Sequence, residues 1–395
     1  MDTNIPINQP FIAALLDSFD KFEDTRESCR IMYPLKEILF LVFSSSLCGI
    51  RSFDEIAEFG EIRIDWFRQY LPYESGIPSH DTLNRIMSWV KVEQLGEVLS
   101  ELFSKQLSIC DDKILHIDGK KIKGSATAKQ QQTSKARGGK QSVAMVNLYS
   151  SSLQQCLASV GIDCKTNEQG AIMELLKCIE VKDCLLSLDA GFCNGIIAGQ
   201  IVETGADYFI RVKQNQPKLL AAMTEILTQE KVTDYYEGKP ENSHGRVEKR
   251  DCSVVRLDSI SNEILLKQSG VLSKWSNLNS LVRVIRYRTD NQTQKMSEEE
   301  AYFITSKPLT AIKANQIARS HWSIENKLHW QLDVILGEDA DRKRTNNSPH
   351  NMSLIHKIVL NIHQPNKVKN KSSLKREMTK CAVSDSYRTK ILESL

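Results

Sequence analysis

Hydrophobic and polar positions follow two different patterns along the chain. Up to residue 108, apolar residues recur at three- and four-residue spacing, as on helices with one buried face. Phe11, Leu15, Leu16, Phe19 and Phe22 form one such stripe. An apolar helix is predicted over 35–45, just after Pro34, and Gly49 ends it. Ser52 and Asp81 stand where N-caps belong, before FDEIAEF and TLNRIMSWV. Leu95, Val98, Leu99, Leu102 and Phe103 line a further face. The pattern predicts an all-α segment over 1–108, with at least one helix-turn-helix-like pair or else a plain bundle.

After Cys110 the pattern changes. Strands are predicted over 113–118, 142–149 and 154–160, then a helix (170–179), a strand (184–189), a helix (193–204) and a strand (207–212). An antiparallel meander that runs on into alternating strands and helices is an α/β arrangement with a mixed sheet. This first part spans 109–217. Residues 218–300 read as a β-rich insertion, with a helix over 219–229 and β-like runs over 247–257 and 281–287. The strand 301–305 returns to the main sheet, and helices over 309–320, 319–333 and 351–363 complete the fold within 301–365. Residues 366–395 form a basic C-terminal tail, read as solvated or phosphate-facing.

The bulk numbers exclude little. At 395 residues, 41% hydrophobic and 26% charged, the chain is an ordinary globular protein of two or three domains. A net charge of +3 does not by itself point to nucleic acid. The distribution says more, since Lys120 to Lys140 holds seven basic residues and no acidic one. The ten cysteines form no CxxC pair and fit reduced thiols. The N-terminus lacks a signal peptide's basic start and apolar run, and no apolar stretch is long enough to span a bilayer. A cytoplasmic protein without membrane contact is the expectation.

Candidate chemistry centres on three acids. In the helix 319–333, Ile324, Leu328 and Leu332 mark the buried face, and His321, Glu325, His329 and Asp333 fall one turn apart on a stripe flanked by Trp322 and Trp330. Asp118 and Asp189 each close a predicted apolar strand, and functional groups of α/β sheets gather at the carboxyl ends of strands. Neighbouring carboxylates repel unless one takes a proton or a cation stands between them. Magnesium is held by hard oxygen ligands, and a third carboxylate would complete a two-metal centre for phosphoryl transfer. Each acid has a plainer alternative. Asp118 before Gly119 suits a turn, Asp189 suits a helix cap, and Glu325 suits a surface ion pair with a flanking histidine.

These residues carry a resemblance. GIPSHDTLNRI (76–86), HIDGKKIKGS (116–125), LDAGFCN (188–194), RVKQNQPKL (211–219), HGRVEKR (244–250), HWSIENKLHWQLDV (321–334) and EDADRKR (338–344) resemble a DDE-type insertion-sequence transposase of the ISAs-type, H-repeat-associated and Rhs-linked branch. The resemblance runs over nearly the whole chain in the expected order. It implies an RNase H-like catalytic domain, a mixed sheet flanked by helices with a β insertion before the final acid, preceded by helices. It also implies Asp118, Asp189 and Glu325 as catalytic and metal-binding acids, two Mg²⁺ or Mn²⁺ ions, double-stranded DNA at element ends and target as partner, and a homodimer on that DNA. Related transposases carry a Tyr, Arg, Glu, Lys signature around the last acid. Here Ala318, His321 and Leu332 replace the other three, so its phosphate contacts do not transfer. Arg319, His321 and Lys327 are candidate replacements.

The activity so implied is metal-dependent DNA strand cleavage and strand transfer, with Lys120, Lys121, Lys123 and Lys213 as further phosphate contacts. Gln214, Asn215 and Gln216 are candidates to reach DNA, or else make a polar turn before Pro217. DNA contact by the helical segment is expected as well. The rival reading is a catalytically inactive, DNA-binding remnant of such an enzyme. A zinc hydrolase built on His321, Glu325 and His329 is disfavoured. The three positions span about 12 Å at a 1.5 Å rise per residue, and the HExxH arrangement is absent.

Overall fold

A computed structural model describes residues 11–27, 29, 31–108, 110, 112–126, 142–162, 168–243 and 245–393. Most of the basic loop after Lys123 and Cys164 lie outside the described residues.

Seven helices come first: α1 (Phe11–Asp20), α2 (Leu35–Leu47), α3 (Phe53–Ile62), α4 (Ile64–Phe67), α5 (His80–Trp89), α6 (Val92–Phe103) and α7 (Lys105–Ser108). Ser52 caps α3 as expected, in a reciprocal box with Glu55. Asp81 caps nothing. Helix α5 starts two residues earlier than that cap implies, with Ser79 at the N-cap and Asp81 already in the first turn, where its charge suits the helix dipole.

Ten strands then build one sheet: β1 (Ile114–Ile122), β2 (Val143–Ser150), β3 (Gln155–Ile162), β4 (Leu185–Leu188), β5 (Asp207–Val212), β6 (Asp234–Tyr236), β7 (Glu241–Ser243), β8 (Arg246–Arg256), β9 (Ser280–Asp290) and β10 (Met296–Thr305). Their order is β3-β2-β1-β4-β5-β10-β9-β8-β6, with β7 paired to β8. Strands β1 to β3 form the expected antiparallel meander, and β1, β4 and β5 run parallel. Two crossovers join the parallel strands, one through α8 (Glu168–Lys177) and the other through α9 (Gly195–Glu203). The fold is thus the expected mixed α/β sheet flanked by helices, with a helical region before it.

The insertion is less separate than its sequence suggests. After α10 (Pro217–Gln229), strands β6 to β9 widen the main sheet, because β10 pairs with β9 along its whole length and with β5 only over Tyr302–Thr305. The boundary at 300/301 therefore falls inside β10. Helix α11 (Asn262–Leu272) interrupts the β run and has no counterpart in the sequence reading.

Helix α12 (Ala311–Ser323) leads into two π-helical stretches, Ile324–His329 and Gln331–Ile335, where one α-helix was predicted. Such widened turns are uncommon and collect at functional sites. Helix α13 (Ser348–Lys369) is buried nearly all round and packs against α2, α5, α6 and β3, so the helical region and the sheet share one core.

The C-terminal residues are not a solvated tail. They fold into α14 (Leu374–Val383) and α15 (Asp385–Glu393), which carry Leu374, Met378, Cys381, Ile391 and Leu392 into that core. Arg388 is fully buried. Its guanidinium lies 4.0 Å over the Trp66 ring and donates to the Cys381 carbonyl and to Asp385. The sequence shows only the charge run, because the apolar positions are thinly spread among lysines.

The described cysteines are all free, and no helix among the described residues is long and apolar enough to cross a membrane.

Candidate active site

Pairing between β1 and β4 places the first two acids. Ile117 and Leu188 are parallel partners, so the residues after them, Asp118 and Asp189, emerge side by side. Asp189 follows its strand, as expected. Asp118 does not end one, because β1 continues to Ile122 against β2. The parallel ladder stops at Ile117 while the antiparallel ladder goes on, so Asp118 sits at the mouth between β1 and β4 with rigid backbone on both sides.

The Asp118 carboxylate is mostly buried. Its Oδ1 accepts the Gly119 N–H at 2.8 Å, and its Oδ2 faces His329 Nδ1 at 3.7 Å. Burial pushes its pKa up to about 7. The Gly119 N–H opposes that rise, and the negative charges of Glu325 and Asp189 add to it. Asp189 is flanked by Lys213 Nζ at 3.7 Å and Arg211 Nη1 at 3.9 Å. Arg211 is a site residue that the sequence reading passed over. It lies on β5, next to β4, and its alternation in DYFIRV gave only a strand signal.

Glu325 is exposed and is the second residue of the first π-helical stretch, in which Ile324 and Leu328 are buried. Its pKa is raised, first by burial and then by the charge of Asp189, while Lys213 and Arg211 pull the other way. The three acids therefore feel one another. They do not meet at a point, and among the described residues no group of three or more His, Cys, Asp or Glu side chains is gathered closely enough to hold a metal ion.

The histidines of the stripe turn inward. His321 Nδ1 pairs with the Ser187 hydroxyl at 3.1 Å, and its ring meets His116 edge-on at 5.7 Å. Burial lowers its pKa to about 4, so the ring is neutral at physiological pH. As a stand-in for a phosphate-binding arginine it lacks both the charge and the exposure. His329 is held down to about 3, by burial first and by Lys120 and Lys357 next. The tryptophans that flank the stripe face solvent. Trp322 and Trp330 are 41% and 52% exposed, and Arg211 lies 5.9 Å over the Trp322 ring.

The basic candidates divide. Lys120 is buried, with Nζ 2.6 Å from Asp333, 2.7 Å from Glu338 and 3.5 Å from Asp339. Three carboxylates enclose its charge, so it is an internal ion-pair residue and does not face a phosphate. Lys123 is exposed and pairs with Asp339 at 2.7 Å, and Arg319 pairs with Glu241 at 2.6 Å. Lys121 and Lys327 are exposed. Asn215 and Gln216 donate to the carbonyls of Ala190 and Cys193, and so brace the turn that follows Asp189. A cleft next to Arg211 is lined by Arg250, Arg286, Arg319, His321 and Trp322, and by Glu299, which pairs with Arg211 and Arg286.

Comparison with known proteins places the chain in a family. Residues 109–362 match the model of the transposase DDE domain, and residues 16–102 match that of the segment associated with it. "Putative transposase YncI" of Escherichia coli O157:H7 is 32% identical over 97% of this chain and 95% of its own length. "H repeat-associated putative transposase YhhI" of Escherichia coli K12 is 30% identical over 96% of this chain and 97% of its own. A shorter relative from that strain, "Inactive transposase YbfQ", is 32% identical over 20% of this chain. Among solved structures, the piggyBac transposase synaptic complex with hairpin DNA is loosely similar, with a TM-score of 0.42 at 11% identity over 97% of this chain and 79% of that one. The chain belongs to the transposase DDE domain family.

Proposed function

We propose that this protein is an active transposase that cleaves the ends of a DNA element and joins them to target DNA, with Asp118, Asp189 and Glu325 as its catalytic acids. The observation that carries the reading is the parallel register of Ile117 with Leu188, which sets Asp118 and Asp189 side by side where the parallel ladder stops, with the segment bearing Glu325 packed against β1.

The residues fit a divalent cation by their chemistry. They offer hard carboxylate oxygens, and Asp118 is disfavoured as an anion until positive charge arrives. Asp118 and Asp189 would hold two Mg²⁺ or Mn²⁺ ions and Glu325 one of them, after the exposed Glu325 side chain turns inward. The bound ions would neutralise phosphate charge and acidify the attacking water.

The protein's own groups supply the rest. Lys213, now compensating Asp189, is placed to turn toward a phosphodiester once cations take over that task, while Arg211 stays bonded to Glu299. The arginine-lined cleft, with Lys121, Lys123, Arg319 and Lys327, extends the surface toward duplex DNA. Paired strands hold the two aspartates, so their mutual placement is set before the substrate arrives. Contact of the N-terminal helices with DNA, a dimer on DNA and action at the chromosome in the cytoplasm belong to the same proposal.

The test is incubation of the purified protein with a duplex carrying the DNA that flanks its gene, with and without Mg²⁺. Mg²⁺-dependent strand breaks at the element boundary support the reading. Binding without cleavage would instead mark an inactive remnant.

A further inference from the structure

A row of polar side chains crosses the buried face of the meander. Asp118 on β1 is the register partner of Asn147 on β2, and Asn147 is the partner of Ser159 on β3. Their side chains therefore share one face of three adjacent strands. Asn147 and Ser159 are 0% and 3% exposed. Polar groups so placed cost stability unless they are fully hydrogen-bonded.

The bonds run in one direction. The Ser159 hydroxyl donates to Asn147 Oδ1 at 2.8 Å. That bond turns the Asn147 amide so that its Nδ2 hydrogens face His329 Nε2, 3.3 Å away. A nitrogen that receives a donor must present its lone pair, so in a neutral ring the proton sits on Nδ1. Nδ1 is the atom that faces Asp118 Oδ2 at 3.7 Å, roughly half an ångström beyond hydrogen-bond range. The other oxygen of Asp118 is already held by the Gly119 N–H.

We infer that Ser159, Asn147 and His329 are positioning residues, a relay that fixes the His329 tautomer so that its Nδ1–H aims the Asp118 carboxylate. His329 lies in the same π-helical stretch as Glu325, one turn on. A single contact therefore orients Asp118 and also sets where the segment carrying Glu325 rests on β1. The inference rests on the proposed metal-dependent chemistry for its purpose, but its hydrogen-bond direction stands independently. Groups that hydrogen-bond to metal ligands typically change metal affinity by about 10–100-fold when they are lost.

Two measurements test the relay, and the first needs neither activity nor metal. In protein labelled with ¹⁵N-histidine, long-range ¹H–¹⁵N spectra at neutral pH should show His329, identified by its loss in His329→Asn, as a neutral ring protonated on Nδ1. A ring protonated on Nε2, or on both nitrogens, would overturn the inference even if the enzyme cleaves DNA.

The second is Mn²⁺ binding followed by electron paramagnetic resonance. In His329→Asn the amide NH₂ replaces Nδ1–H, and affinity should stay within about threefold of wild type. In His329→Gln the NH₂ takes the place of Nε2, and affinity should fall about 10–100-fold. Equal behaviour of the two variants would contradict the relay. Wild-type protein that binds no Mn²⁺ would refute the proposed function, and the tautomer spectrum would still decide the relay.

Discussion

Lys120 Nζ lies 2.6 Å from the Asp333 carboxylate, and this contact fastens the second π-helical stretch to the strand that bears Asp118. The lysine side chain is 5% exposed and also meets Glu338, itself 3% exposed. The pair is internal to the protein, two residues from a proposed catalytic acid.

Removing the lysine should therefore act on stability. Lys120→Met would leave Asp333 and Glu338 without their direct ion-pair partner, a loss of about 3–5 kcal/mol for a broken buried pair. Urea unfolding followed by tryptophan fluorescence measures it. A loss below about 1 kcal/mol, typical of exposed pairs, would show that the cluster is solvated.

The neutrality of His321 gives a second expectation. Burial keeps its pKa near 4, so the ring carries no charge at pH 7. His321→Gln should leave the salt dependence of DNA binding unchanged, whereas Lys213→Gln and Lys327→Gln should each lower the slope of log K against log salt by about 1. Binding isotherms at several salt concentrations read this out. A reduced slope for His321→Gln would restore it as a phosphate ligand.

Glu377 predicts an acid-sensitive C-terminus. Its buried carboxylate accepts from Ser372, Tyr387 and Lys380, and these bonds overcome burial to hold its pKa at about 2 instead of 4.5. A depressed folded-state value stabilises the fold above pH 4.5, and that contribution is lost as pH falls from there toward 2. Glu377→Gln should cost about 1–3 kcal/mol at pH 7 and much less at pH 3. Thermal melts at the two pH values decide it, and an equal cost at both would contradict the assignment.

What the sequence discloses here depends on whether a residue's role is local. Asp189 was visible because β4 is short and apolar and the acid follows it directly. Asp118 was read as the end of its strand, but that strand runs on to Ile122 and only the parallel ladder stops at Ile117. The inward turn of His321 and His329 is a tertiary fact set by Ser187 and Asn147, which lie 134 and 182 residues away in sequence. Lys120 looked like part of a basic loop because its three acids arrive from residues 333 to 339. The C-terminal helices were hidden by lysines that coat a thin apolar stripe. Asn147 gave one faint signal, a lone amide inside the apolar run VAMVNLY.

The most direct test of the central claim is Mg²⁺-dependent cleavage of an element-end duplex by wild type and by Asp118→Asn, Asp189→Asn and Glu325→Gln, with folding and DNA affinity checked for each. The account predicts strand breaks with wild type and a loss of at least about 10³-fold in rate for every variant, as expected when charge stabilisation at a transferring phosphoryl group is removed. Cleavage at the wild-type rate by any one of the three would contradict the assignment of that acid and, with it, the three-acid centre.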